Sequence, residues 1–377
     1  MSDATQTRWS LIDHRSSTTH LEAPSKITPV ESRMINTQDY YDPPISTFYD
    51  DPSFGYTIEK PIENWNQKRQ AWLKLHPSFK PRSHEDRVFI VTGSQSAPCE
   101  GPTGDHYLLR TYRNKVDYCR IHGYDIFYNN VLLDPKMTGG WGKLPAIRAA
   151  LVAHPEAEWI WWLDEDTVIT DMEYKIPFYK NCQWSLDFLN TWADMGPRSL
   201  HFDKWTKILF EDFKHGPTDQ TALAYLLWKE HNSWLGKKML IETRYYIEGY
   251  WIDIIDTLMN ITERYLEIEK MEGMLRRRHA EKVSERYGVL REPLLKDAGN
   301  ERGSWRRPFV THFPGCQPCI GKRTRNPSFT LEGCRNTMNK ALNFADNQVL
   351  RNYGFVHPSV IAKSLVDDNA FDQYSGL

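Results

Sequence analysis

The sequence predicts an α/β domain of the doubly wound kind, and three observations predict it. Short apolar runs suited to buried strands occur at "RVFIVTGSQ" (87–95), "YDIFYNN" (124–130) and "EWIWWLDED" (158–166). Between them, "DHYLLRTYRNKVDYCRIHG" (105–123) and "WGKLPAIRAALVAHP" (141–155) read as helices, so the order is strand, helix, strand, helix, strand. The first and third runs close on a Gly-Ser turn and on three acids, the positions where open α/β sheets bind ligands.

The elements follow in chain order. Residues 1–60 are rich in Ser, Thr, Pro and Asp without periodicity and predict a disordered or loosely packed arm; 61–357 form the domain and 358–377 a C-terminal tail. "NWNQKRQAWLKLHP" (64–77) predicts a short amphipathic helix. In 105–123, Leu108, Tyr112, Val116 and Cys119 recur at helical intervals, and Gly123 is a natural stop. The helix in 141–155 ends at a proline. "CQWSLDFLNTWADMG" (182–196) and "DQTALAYLLWKEH" (219–231) read as helices, the second with Asp219 near its N-terminus. From 261 to 290, Ile261, Tyr265, Ile268, Met271, Leu275, Val283, Tyr287 and Leu290 form an apolar packing stripe on a charged helix, with "RRRH" (276–279) a solvated face.

Composition narrows the function classes. The 377 residues are 40% hydrophobic and 25% charged, with 14 Trp and 19 Tyr, enough for one large core and unusually aromatic. A formal net charge of −2 supplies no basic field, so no nucleic-acid partner is expected. No apolar run reaches 18 residues and "MSDATQTRWSLIDHRSS" lacks the form of a signal peptide, so the chain reads as soluble as written. The six cysteines leave the redox compartment open, and "CQPC" (316–319) fits half a zinc site, a redox pair or part of a disulfide set. Asn260 in "NIT" is a formal glycosylation acceptor for a chain that enters the secretory lumen.

The chemistry centres on "WIWWLDEDTVITDM" (159–172). Asp164 and Asp166 are separated by one residue, so on an extended backbone both face one divalent cation, Mg²⁺ or Mn²⁺ for hard oxygen ligands. Such a cation bridges the oxygens of a nucleotide diphosphate and neutralises charge as it leaves. Asp-x-Asp alone more often marks an acidic turn after a core strand. Its place after a buried strand turns the reading toward a site, because adjacent carboxylates repel unless something cationic relieves them. In "FVTHFPGCQPC" (309–319), His312 can complete the coordination and the glycine turn can cradle phosphate, although a lone histidine after a strand is ordinarily structural.

Taken together, "VTGSQ", "KVDYCRIHGYDIFYNNVLL", "HPEAEWIWWLDED", "NCQWSLDFLNTWADMGP", "DQTALAYLL", "EGYW", "RRPFVTHFPGCQPC" and "NFADNQVLRNYGFVH" closely resemble the plant galactomannan α-1,6-galactosyltransferase and xyloglucan α-1,6-xylosyltransferase family (glycosyltransferase family 34) from about residue 60 to 357. "GYDIFYNN", "EGYW" and "CQPC" resemble its galactosyltransferase-like branch. The resemblance implies a GT-A fold, a Rossmann-like mixed sheet flanked by helices, with a UDP-sugar donor, Mn²⁺, retention of configuration and a lumenal Golgi membrane location. It implies transfer of α-galactosyl, ahead of α-xylosyl, from UDP-galactose or UDP-xylose to the 6-hydroxyl of a mannan or glucan backbone. It further implies oligomers with related glycosyltransferases.

Carried onto this chain, the resemblance makes Asp164, Asp166 and His312 metal ligands and places Glu165 near the donor ribose. Gly93, Ser94 and Gln95 resemble the uridine-binding turn, Lys143 the lysine near the donor, and Gly315 and Gln317 the turn beside the diphosphate. Asp219 and Gln220 match the catalytic pocket, Asp219 stabilising a cationic sugar and Gln220 positioning it during front-face attack. Three departures stand out. The residues show no N-terminal anchor, so Golgi targeting is expected to need a further segment. Thr218 replaces the first of two aspartates before glutamine. Only "MEYKIPFYK" separates Asp171 from Asn181, where the family carries several dozen more residues, so part of the central sheet is expected to be missing. Two other classes compete, a non-catalytic partner of related glycosyltransferases and a metal-dependent phosphohydrolase.

Overall fold

The chain runs from α1 (Trp65–Leu75) through β1 (Val88–Gly93), α2 (Pro102–His122), β2 (Asp125–Asn129), α3 (Lys143–Ala153) and β3 (Trp159–Leu163) to β4 (Thr167–Ile169) and β5 (Tyr179–Lys180). Next come α4 (Gln183–Ala193), α5 (Phe202–Phe213), α6 (Asp219–Lys229), β6 (Glu248–Tyr250), α7 (Trp251–Ile254), α8 (Leu258–Met271), α9 (Gly273–Arg276) and α10 (Glu281–Leu295). Last are β7 (Val310–His312), α11 (Leu331–Leu350), β8 (Phe355–Val356) and β9 (Asp367–Asp368). The structure, a computed structural model, describes residues 46–79, 87–175, 179–230, 232–233, 238–239, 248–276, 281–299, 304–317, 319, 326–358 and 367–368. Residues 1–45 of the expected arm, the "RRRH" side chains and most of the expected tail lie outside them.

The main sheet has the order β2-β1-β3-β5, parallel except for β5, which runs antiparallel to β3. A second sheet has the order β4-β7-β6, with β4 antiparallel and β6 parallel to β7. This mixed α/β architecture is the GT-A-like arrangement that the resemblance implies. The near-continuous burial of β1 suits a parallel strand covered on both faces. Alternation decides the partners. Phe89 and Val91 join a core with residues of α3, α4 and α6, while Val88 and Ile90 join one with Tyr118 and Ile121 of α2. Burying each such side chain stabilises by about 1.5–3 kcal/mol. A third core sets Val168 of β4 among residues of α8 and α11.

Local signals explain the helix ends. α2 starts with Pro102 at its first position and stops at Gly123, whose φ of 72° is the left-handed cap. Thr218 caps α6, its hydroxyl accepting the Thr221 N–H at 3.1 Å. Where the family pattern has a carboxylate, this chain therefore has a working N-cap.

Within 46–60, the Tyr49 hydroxyl donates to the Val152 carbonyl at 3.0 Å, and buried Arg148 donates to the carbonyls of Thr57, at 3.0 Å, and Lys60. These bonds tether the segment to α3. The long stripe from 261 to 290 breaks into α8, α9 and α10. Ile261, Tyr265, Ile268 and Leu275 are buried as expected, but Met271, Val283 and Leu290 are exposed because the helix breaks after Met271 and loses its phase. Among the described residues, no helix is long and apolar enough to cross a membrane.

Candidate active site

β3 delivers its acids through a turn rather than an extended strand. The Thr167 N–H and hydroxyl both donate to the Asp164 carbonyl, at 3.3 and 2.7 Å, closing a tight link between β3 and β4. The expectation that alternation along an extended backbone aligns the two aspartates is thus corrected. Asp164 and Asp166 converge because the chain folds back, with β4 pairing to β7 so that Thr167 lies opposite His312. The Phe313 N–H locks this register by donating to the Asp166 carbonyl at 2.9 Å.

His312 Nε2 lies 3.3 Å from Asp166 Oδ1 and 4.0 Å from Asp164 Oδ2. The three ligand atoms of Asp164, Asp166 and His312 all fall within 4.8 Å of one another. Two hard carboxylate oxygens with one borderline imidazole nitrogen are a donor set that could hold a divalent cation such as Mn²⁺. The tryptophan run answers to the same turn: the Trp162 indole N–H donates to Asp164 Oδ1 at 2.6 Å and aims that carboxylate.

Lys143, the first residue of α3, bridges this trio to the predicted catalytic acid. Its Nζ lies 3.2 Å from Asp164 Oδ1 and 2.8 Å from Asp219 Oδ2. Burial works against its charge, but Asp164 and Asp219 outweigh it and hold the ammonium above its usual range. Burial likewise opposes ionisation of Asp164, yet Lys143, Trp162 and His312 keep its carboxyl below the usual range. Asp219 is buried at the start of α6, with its carbonyl accepting the Trp192 indole N–H at 2.9 Å. Gln220, one residue on, is exposed on the surface of α6. Glycine at 140 makes room for Asp219, since a Cβ there meets Asp219 Oδ1 at 2.0 Å. Sequence reasoning missed Gly140; the paired glycines of "TGGWGK" were the available signal.

The expected nucleotide side is built from two loops. A Cβ at Gly93 sits 2.2 Å from the Asn129 carbonyl, so only glycine lets β1 close on β2 there. The Ser94 N–H donates to that carbonyl at 3.0 Å, and Ser94 Oγ accepts the Tyr128 hydroxyl at 2.8 Å. Opposite, Gly315 has a φ of 87° and lies against Phe329. Both loops are stapled. Cys99–Cys319 joins them to each other, and Cys316–Cys334 ties the glycine turn to α11. Each sulfur of "CQPC" is thus committed to a separate disulfide, which removes the zinc and redox-pair readings. The Gln95 amide contacts Cys319 Sγ, bringing the two loops together at that residue. Half-buried Gln317 sits in the stapled turn, and half-buried Glu165 in the acidic turn.

A second missed residue is Lys115 of α2, almost fully buried. Its Nζ donates to the Thr167 carbonyl at 2.8 Å. Burial pulls its ammonium down to about 8, against the opposing pull of Asp166, Asp164 and Glu165.

Comparison with known proteins places the chain in a family. The profile of the galactosyl transferase GMA12/MNN10 family matches residues 84–179 and 177–323, two pieces that meet inside the short connection. Glycosyltransferase 6 of Arabidopsis thaliana is 49% identical over 91% of this chain and 87% of its own length. Galactomannan galactosyltransferase 1 of Cyamopsis tetragonoloba is 48% identical over 86% of this chain and 81% of its own. A glycosyltransferase involved in glycosylation of the major capsid of PBCV-1 aligns with a TM-score of 0.30 and 15% identity, over 44% of this chain and 85% of that one. With the profile spanning most of the domain and relatives near half identity, the chain belongs to the galactosyl transferase GMA12/MNN10 family and is a glycosyltransferase that joins a nucleotide-sugar donor to a glycan acceptor.

Proposed function

We propose that this chain is a retaining glycosyltransferase that moves α-galactosyl, ahead of α-xylosyl, from a UDP-sugar to the 6-hydroxyl of a β-linked mannan or glucan backbone. The observation that carries this reading is the continuous cluster of His312, Asp166, Asp164, Lys143 and Asp219 at the carboxyl end of β3. Asp164, Asp166 and His312 would hold Mn²⁺, which when bound neutralises the diphosphate as it leaves. The loops carrying Gly93, Ser94, Gln95, Gly315 and Gln317 would seat the nucleotide, with Glu165 toward its ribose. The name of the Cyamopsis tetragonoloba relative favours galactosyl transfer onto a mannan-type backbone.

In front-face attack the bond between the anomeric carbon and the diphosphate oxygen breaks. A bond to the acceptor O6 forms on the same face, and the O6 proton passes to the departing diphosphate. Asp219 supplies negative charge to the oxocarbenium-like centre, and Lys143 holds that carboxylate at its fixed distance from the metal ligands. Gln220 would orient the sugar. The membrane of the Golgi, lumenal side, is the location that two disulfides and the family suit best.

The test is calorimetry of UDP with Mn²⁺. Unaltered protein should bind UDP only with the cation, and an Asp164→Ala, Asp166→Ala variant should lose that dependence; equal binding by both rejects the metal site. One observation favours a second reading, a non-catalytic partner of related glycosyltransferases: the family profile breaks inside the short connection. Turnover of UDP-galactose by the isolated chain rejects that reading, and UDP binding without turnover supports it.

A further inference from the structure

β4 is an edge strand of the second sheet, and side chains of α2 occupy its open side. Asn114 behaves there like a neighbouring strand. Its amide donates to the Ile169 carbonyl at 3.0 Å and accepts the Ile169 N–H at 2.8 Å. At the other end of the strand, Lys115 Nζ donates to the Thr167 carbonyl at 2.8 Å and reaches the Thr111 carbonyl at 3.5 Å. Thr167 follows Asp166 directly and closes the turn back onto Asp164. Asn114 and Lys115 therefore clasp β4 from one helix, and the lysine holds the end that carries the metal ligands.

The choice of lysine at this position calls for a reason. An ammonium is among the costliest groups to bury, and a neutral amide bonds a carbonyl at lower cost. The compensation lies just beyond Thr167, where Asp164, Glu165 and Asp166 crowd one turn. A cation fixed beside that turn offsets their mutual repulsion. Nζ bonds backbone carbonyls and leaves the carboxylate oxygens available.

We propose that Lys115 is a positioning residue that keeps the Asp164–Asp166 turn in its ligating shape before the cation arrives. This rests on the metal site proposed above. A merely structural lysine and a positioning lysine differ in one readout. Removing a positive charge from beside three carboxylates should by charge alone tighten a divalent cation, whereas loss of the turn's shape should weaken it.

The experiment titrates Mn²⁺ alone into unaltered protein, K115M and N114A by calorimetry, with thermal midpoints recorded alongside. K115M is expected to raise the Mn²⁺ Kd by about 10-fold or more, the range typical of groups that orient metal ligands. N114A, which releases only the far end of β4, is expected to lower the midpoint and to keep the Kd within about two-fold of the unaltered value. Unchanged or tighter binding by folded K115M, with normal binding by unaltered protein, overturns the proposal and spares the metal site. No Mn²⁺ binding by unaltered protein overturns both. Should K115M not fold, K115Q keeps a donor and drops the charge, and its Kd decides in the same way. Failure of both to fold assigns Lys115 to the scaffold and overturns the proposal.

Discussion

Gly140→Ala probes the active site without touching a charged group. The added Cβ would lie 2.0 Å from Asp219 Oδ1 and 2.7 Å from its Cγ. Because real Cβ contacts do not fall under 3.0 Å, the carboxylate must retreat by about 1 Å. Asp219 has little room to do so, being buried and held at 2.8 Å by Lys143 while its carbonyl takes the Trp192 N–H. The variant therefore either stretches the Lys143 contact or moves the start of α6. Displacement of a catalytic group by about 1 Å costs on the order of 100-fold in rate. The assay is turnover of UDP-galactose with a mannan oligosaccharide, beside calorimetry of UDP with Mn²⁺. Turnover is expected to fall on the order of 100-fold while UDP affinity holds, since Asp164, Asp166 and His312 are untouched. Turnover within about two-fold of the unaltered protein refutes the argument, because Asp219 would then have no fixed place in the reaction.

Three further outcomes are expected. Trp65→Ala removes a fully buried indole that donates to Asn181 Oδ1 at 2.8 Å, so urea unfolding should show a loss of about 3–5 kcal/mol. Opening Cys99–Cys319 as Cys99→Ser, Cys319→Ser frees from each other the two loops proposed to seat the nucleotide; stability should fall by about 2–4 kcal/mol and UDP affinity with it, and unchanged affinity would show that the staple does not shape the site. Burial raises the Asp171 carboxyl from 3.8 to about 6, against the pull of Arg307. A raised acid holds its proton longer in the folded state, so its contribution is complete below 3.8 and is lost as pH rises through about 6. Asp171→Asn should therefore gain about 2–3 kcal/mol on the unaltered protein between pH 4 and 7, measured by urea midpoints, and a gap independent of pH would refute the shift.

Legibility followed the burial pattern. β1, β3 and α3 announce themselves because their buried residues are mainly apolar, whereas α2, whose buried face includes Thr111, Asn114 and Lys115, is marked by its ends at Pro102 and Gly123, and β2, which buries only Asn129, by its β-branched and aromatic run. α11 does not announce itself, although it is long and central. Its buried face includes Asn339, Asn343, Asp346 and Asn347, and Arg110 pays part of that desolvation by donating to Asn339 and Asn343 at 2.6 and 2.9 Å. Those four polar residues interrupt the apolar period that Met338, Ala341, Leu342, Ala345 and Val349 would otherwise show. α5 was missed despite a strong period, since only Leu209 in it is fully buried. β4 was hidden in the acidic turn's own sequence. For the site, Asp164, Asp166, His312, Lys143 and Asp219 were legible as residue types and as family matches, and the structure joins all five. Lys115 and Gly140 were not, because their roles depend on contacts across 52 and 79 residues that no local pattern encodes.

The short connection bears on the two readings through which elements it touches. Asp164 and Asp166 hang on β3 and β4, His312 on β7, Lys143 on α3 and Asp219 on α6, and the bonds that fix them run among those elements. Among the described residues, none passes through 172–175 or 179–180. What does depend on the connection is the far edge of β3, where β5 pairs only Trp159 and Ile160 through Lys180 and Tyr179. Trp161 to Leu163, the stretch nearest the acids, gain no strand from β5, and this is the side where the family's longer segment is expected. The donor half of the site is thus separable from whatever completes the acceptor half. A chain of this construction should bind UDP with Mn²⁺ through residues already in place, while transfer to a polysaccharide depends on how that open edge is covered. Binding and turnover, measured on the same preparation, therefore distinguish the transferase from the non-catalytic partner more sharply than either does alone.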